Sequence, residues 1–188
     1  MEQLFAIQCS NEYASLLSRD ISIWMEATAN LNRSPLRSAW PDVHLYVHAQ
    51  RARRPEPTPD IAPVHQGALA FRTESRDRLF PSHEGLEFLP VKVGDEDWFL
   101  LNCMNTIPQI DEQRSEVHRD TDGTIFAVMK LFVPDGMTVP EIFTIADSNR
   151  AQLFTTSAFK TRVESSGLQG ITFQSTDLAP NYRQRAGL

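Results

Sequence analysis

The sequence predicts an α+β fold: a mixed, mainly antiparallel sheet with short helices packed against it. Three observations carry this. Apolar runs of strand length recur along the chain, among them LFAIQC (4–9), LEFLPVKV (86–93) and IFAVMKLFV (125–133). LEFLPVKV is separated from the next run, DWFLLNCM (97–104), by little more than Gly94-Asp95, and so short a connection joins antiparallel neighbours. The clearest helical spacing, in SAFKTRVESS (157–166), is only ten residues long. With 188 residues the chain is long enough for one domain with its own hydrophobic core.

Taken in order, LFAIQC reads as a first strand. In the next stretch, to about residue 34, Tyr13, Leu16 and Leu17 are placed to line a short helix face. VHLYVH (43–48) alternates and carries β-branched residues, as a strand does. Residues 51–63 hold four prolines and three arginines, which predicts an extended connector outside any ladder, because proline lacks the donor a ladder needs. ALAF (68–71) leads into a short helix for which Thr73 is the expected cap and Glu74 the first-turn acid. Gly85 ends that unit, and the hairpin 86–104 follows. The unbroken apolarity of IFAVMKLFV predicts a central strand. EIFTIA (141–146) and QLFTT (152–156) are shorter strands. The helix of 157–166 has Ser157 as expected N-cap, Phe159 and Val163 on one face, and Gly167 as the left-handed stop with Leu168 closing the cap. ITFQS (171–175) is the last strand. Residues 1–35 form a poorly defined strand and helix segment of the same domain, 36–175 its main body, and 176–188 a frayed tail. A strand, a Thr, a short helix and Gly-Leu occur twice, at 70–87 and 153–169, as two strand–helix–strand units would require.

Charge narrows the function. The net charge is −6, and residues 84–122 hold ten acids against three bases, leaving that third at −7. Such a face repels a nucleic-acid backbone and steers a basic protein toward it. No run of apolar residues is long enough for a membrane helix. The amino end, MEQLFAIQCS, has an acid and no basic flank, so it reads as a core strand rather than a secretory signal. Cys9 and Cys103 sit in apolar company and read as buried thiols of an intracellular, cytoplasmic protein.

Chemistry-bearing patterns are few. His118-Arg119-Asp120 copies the start of a kinase catalytic loop, but position 125 is Ile125 where a metal-binding asparagine belongs, and no glycine-rich phosphate cradle precedes it. His44 and His48 on a strand stand about 13 Å apart, too far for one metal. Cys103 follows Leu100-Leu101 with no basic neighbour, so its thiol should be raised rather than activated. No cofactor, metal or catalytic residue is therefore expected. The enzyme reading that stays open is a small hydrolase using His118 with Asp120 or Cys103. A non-catalytic accessory or scaffold domain, associating with itself or with another protein, is the other alternative. Trp24 and Trp40, in the least regular part of the chain, are candidate interface anchors.

A set of short pieces in fixed order then carries a resemblance. They are PDIAP (59–63), FLPV (88–91), WFLLN (98–102), IDEQRS (110–115), LFTT (153–156) and GLQGITF (167–173). Over residues 36–175 they resemble the Imm11 immunity family, also known as DUF1629, with its LLN strand, its Asp-to-Ser step and its helix ending in a Gly-Leu-x-Gly turn. The resemblance implies a bacterial immunity protein of a polymorphic toxin system, which neutralises a cognate toxin by binding it, and it implies no catalytic residue. Asn102, Asp111 and Ser115 are the shared polar positions, and side chains of these types cap turns and strand ends. Thr156 stands where the family usually presents a serine, which weakens any claim for hydroxyl chemistry there. Combined with the charge, the expectation is a toxin-binding face containing Glu96, Asp97, Asp111, Glu112, Glu116 and Asp120, with Trp24 and Trp40 as anchors.

Overall fold

A computed structural model describes residues 2–49, 56–64, 68–80 and 84–177. Among the described residues, thirteen strands and three α-helices form the expected α+β architecture, with antiparallel pairing at all but two strand contacts. A six-stranded sheet takes the order β2-β3-β6-β7-β5-β4. Its strands are β2 (Ser15–Ser18), β3 (His44–His48), β4 (Ile61–Pro63), β5 (Leu69–Arg72), β6 (Leu86–Val93) and β7 (Glu96–Cys103). A five-stranded sheet takes the order β13-β1-β12-β11-β8, built from β1 (Leu4–Cys9), β8 (Thr106–Ile107), β11 (Ile142–Ile145), β12 (Phe154–Thr156) and β13 (Ile171–Ser175). A two-stranded ribbon, β9 (Glu116–Arg119) with β10 (Ile125–Lys130), completes the set. The helices are α1 (Ile21–Thr28), α2 (Thr73–Leu79) and α3 (Ser157–Ser166).

Alternation along the strands divides the interior into three apolar layers. On one face of the six-stranded sheet, Leu16, Leu45, Leu89, Val91, Trp98 and Leu100 pack with Trp24 of α1. On its other face, Phe71, Phe88, Leu101 and Cys103 meet Leu79 and Phe80 from the α2 side and Phe159 and Val163 of α3. Phe80 and Phe159 lie with ring centroids 5.4 Å apart where the helices touch. The five-stranded sheet turns Leu4, Ala6, Phe143, Ile145 and Phe154 the opposite way, onto Ile110, Ile125, Leu131 and Val133 around the ribbon.

The repeated pattern in the sequence has a structural counterpart. β5 and β6 flank the antiparallel β7, with α2 connecting them; β12 and β13 flank the antiparallel β1, with α3 connecting them. β4 beside β5 corresponds to β11 beside β12. Two similarly connected units therefore face each other across the two helices. β1 lies between β13 and β12, so the first 35 residues supply an interior strand of the fold.

Several expectations are corrected. Ser15–Ser18 is a strand paired with β3, and the helix begins five residues after Leu16, at Ile21 behind the Asp20 cap. Asp20 is the better start because its carboxylate accepts from the Ser22 and Ile23 amides at 2.9 and 3.1 Å. Ile61–Pro63 is an edge strand rather than a connector; residues 51–55 lie outside the described ones. Proline at the end of an edge strand removes no interior ladder bond. The apolar run 125–133 is not central: only 125–130 is strand, and it pairs with β9 alone as a ribbon. Its apolarity is used instead where Ile125, Leu131 and Val133 enter the third layer. Neither Thr73 nor Ser157 caps its helix by a side-chain bond to the helix backbone; Thr73 Oγ1 donates to the Asp97 carbonyl and Ser157 Oγ to Glu2. Gly167, at φ 72°, does end α3 as expected. In the predicted tail, Thr176 is buried and bonded to Leu4 and Leu131, while 178–188 lie outside the described residues.

Candidate protein-binding surface

Five of the six acids expected on the toxin-binding face are paired with bases of the same chain. Glu96 meets Arg72 at 2.5 Å and accepts from Trp98 Nε1 at 3.1 Å. Asp97 meets Lys92 at 2.6 Å, Glu112 meets Arg119 at 2.5 Å, and Glu116 lies 3.8 Å from Lys130. Asp111 meets Arg114 at 2.7 Å and accepts from the Gln113 and Arg114 amides. Asp120 accepts from the Asp122 and Thr124 amides, and its hydrogen bond with the Asp122 carboxyl raises its pKa. Exposed pairs of this kind add little stability, but each cancels a charge that the sequence left bare. The acids also fall into two groups. Glu96 and Asp97 begin β7, whose far end at Cys103 lies about 23 Å away. Asp111 to Asp120 belong to the ribbon and the loop before it, which pack on the third apolar layer.

The tryptophans separate. Trp24 is fully buried beneath the six-stranded sheet and is not an interface anchor, because its ring completes that core. Trp40 is half-buried, with Nε1 donating to the Pro90 carbonyl at 2.8 Å. It lines a surface groove of about 370 Å³ with Arg37, Pro41, Asp42, Pro90, Val91, Lys92 and Asp97. Trp40 and Asp97, far apart in sequence, are thus brought to one place.

Sequence reading missed a further surface feature. The described residues include six exposed large hydrophobic side chains, and five of them are Ile21, Ile23 and Met25 on α1 and Tyr46 and Val47 on β3. The Arg19 amide, between β2 and α1, donates to His44 O, and His44 is in register with Lys92 at the groove. The missed signal is an excess of apolar residues. ISIWMEAT carries Ile21, Ile23, Trp24, Met25 and Ala27, more than one face of two turns can bury, and only Trp24 and Thr28 are buried.

The remaining candidates are tied into the fold. Cys103 is fully buried, its thiol contacts the Asn105 and Ile142 carbonyls, and burial pushes its pKa up to about 12. His118 by contrast stands exposed on the ribbon, its ring edge-on to Phe126. Asn102 is buried, donating to Ser34 O and Glu87 and accepting from the Asn32 amide. Asp111 closes the turn described above. Ser115 Oγ donates to the Phe132 carbonyl and accepts from the Phe132 amide. Thr156 Oγ1 is buried with no hydrogen-bond partner among the described residues, and faces the interior rather than solvent. The described residues contain no group of three His, Cys, Asp or Glu side chains placed to hold a metal ion, and no helix long and apolar enough to cross a membrane. No family model matches the chain, and no curated protein matches it.

Proposed function

We propose that this chain is a non-catalytic protein-binding module of the immunity type, which neutralises a cognate bacterial toxin in the cytoplasm by covering it. The observation that supports this most is the set of apolar side chains left exposed on α1 and β3. Ile21, Ile23 and Met25 on α1 and Tyr46 and Val47 on β3 are exposed, and Trp40 lines a surface groove. A concentration of aromatic and aliphatic groups with a charged rim is the usual anatomy of an interface centre. Arg37, Asp42, Lys92 and Asp97 supply that rim. The order of motifs shared with the immunity family supports the choice of a toxin as partner. The paired acids then contribute steering around the rim rather than the main attraction.

The test uses the protein encoded beside this chain's gene. Its C-terminal domain, co-expressed with the chain, should lose toxicity and co-elute as a one-to-one complex. Ile21→Asp with Tyr46→Asp should abolish both effects while leaving the unfolding midpoint within a few degrees of wild type. Full protection by that folded variant, or a chain that only pairs with itself, would remove the reading.

A further inference from the structure

We infer that Asn32 and Arg150 form a clasp that positions the proposed docking surface; the role assigned to that surface rests on the reading above. These are the two non-glycine residues with positive φ among the described ones, at 60° and 57°. A left-handed backbone at such residues persists only where its surroundings over-determine it. They lie 118 positions apart and hold each other reciprocally. Asn32 Nδ2 donates to the Arg150 carbonyl at 2.9 Å, and Arg150 Nη1 donates to the Asn32 carbonyl at 3.1 Å.

The rest of Asn32 is committed too. Its amide donates to Asn102 Oδ1 at 2.6 Å, and its Oδ1 accepts from the Cys103 amide at 2.7 Å. Asn102 in turn donates to Ser34 O and Glu87, and Glu87 accepts from the Leu36 and Arg37 amides. Residues 29–40 are thereby fastened as a strap, by polar contacts to β6, to β7 and to the turn after β11 that carries Arg150. Its apolar attachments are weaker, for Leu31, Leu36 and Trp40 are only partly buried. The strap is also the segment between α1 and the Trp40 groove. A clasp built on the five-stranded side of the molecule therefore sets how rigidly the surface on the six-stranded side is presented, and a pre-ordered surface loses less entropy on binding. Arg150 Nε is buried without an acceptor among the described residues, so the Nη1 bond to Asn32 is the side chain's hydrogen bond within the clasp.

The test is made on the free chain. Arg33 and Arg37 are exposed tryptic sites within the strap. Asn32→Ala and Arg150→Ala should raise cleavage at both, and amide exchange over 29–40, by about tenfold or more, as local opening does. Exchange in β5–α2 and α3–β13 should stay at wild-type rates. Arg150→Lys, which keeps a donor, should restore most of the protection. Unchanged cleavage in a folded variant, or an equal rise across the whole chain, would overturn the clasp. The Ile21→Asp and Tyr46→Asp variant should leave strap cleavage as in wild type, so failure of the docking surface and failure of the clasp are read separately.

Discussion

Glu87 shows what single side chains do here. Partial burial pushes its pKa up, but hydrogen bonds from the Leu36 amide, Asn102 and the Arg37 amide more than offset that, and it falls below the ordinary glutamate value of 4.5. A lowered folded pKa stabilises the fold above the unfolded value and withdraws that stability as pH falls through the folded one. Urea midpoints should therefore drop from pH 5 to pH 3, and Glu87→Gln should flatten that part of the profile. The cysteines give a second check. Burial raises Cys9 to about 11 and Cys103 to about 12, so at pH 8 a thiol reagent should leave the native chain almost unlabelled and modify both residues in urea. Rapid native labelling of Cys103 would reopen the hydrolase reading. Trp24→Ala removes a ring buried on all sides and should cost about 3–5 kcal/mol in chemical denaturation.

At the scale of elements, local signals located most strands but not their neighbours. The 86–103 hairpin was legible because its turn and both partners are contiguous. α3 was legible in extent, yet its first turn is served by Glu2, whose carboxylate accepts from Ser157 N and Oγ. No local rule finds a partner 155 residues away. Glu2→Ala should destabilise the protein by about 0.5–1 kcal/mol, read as a shift in the urea midpoint. β2 was misread because Leu16 and Leu17 fit either period over four residues, and the pairing with β3 decided the matter. In the candidate surface, Trp40 and Asp97 were legible as residue types. The exposure of Ile21, Ile23, Tyr46 and Val47 was not, since apolar side chains carry no local mark of which ones the core has room for.

For the whole molecule, the two units meet where β13 approaches β4. The Asp60 and Ile61 amides both donate to the Gln169 carbonyl, and a Cβ at Gly170 would stand 1.9 Å from the Ile61 carbonyl oxygen. Gly170→Ala must push the two sheet edges apart at a left-handed position, and a loss of about 2 kcal/mol or more is expected in equilibrium unfolding. The sequence by itself determined the α+β class and pointed to the repeated strand–helix–strand plan and the burial of Cys103, because periodicity, helix stops and apolar neighbours act over a few residues. Only the tertiary structure decided which charges are cancelled, which tryptophan is core and which apolar groups are left outside. Those outcomes depend on pairs such as Glu96 with Arg72 and Asn32 with Arg150, which become neighbours only when distant strands and turns are brought together.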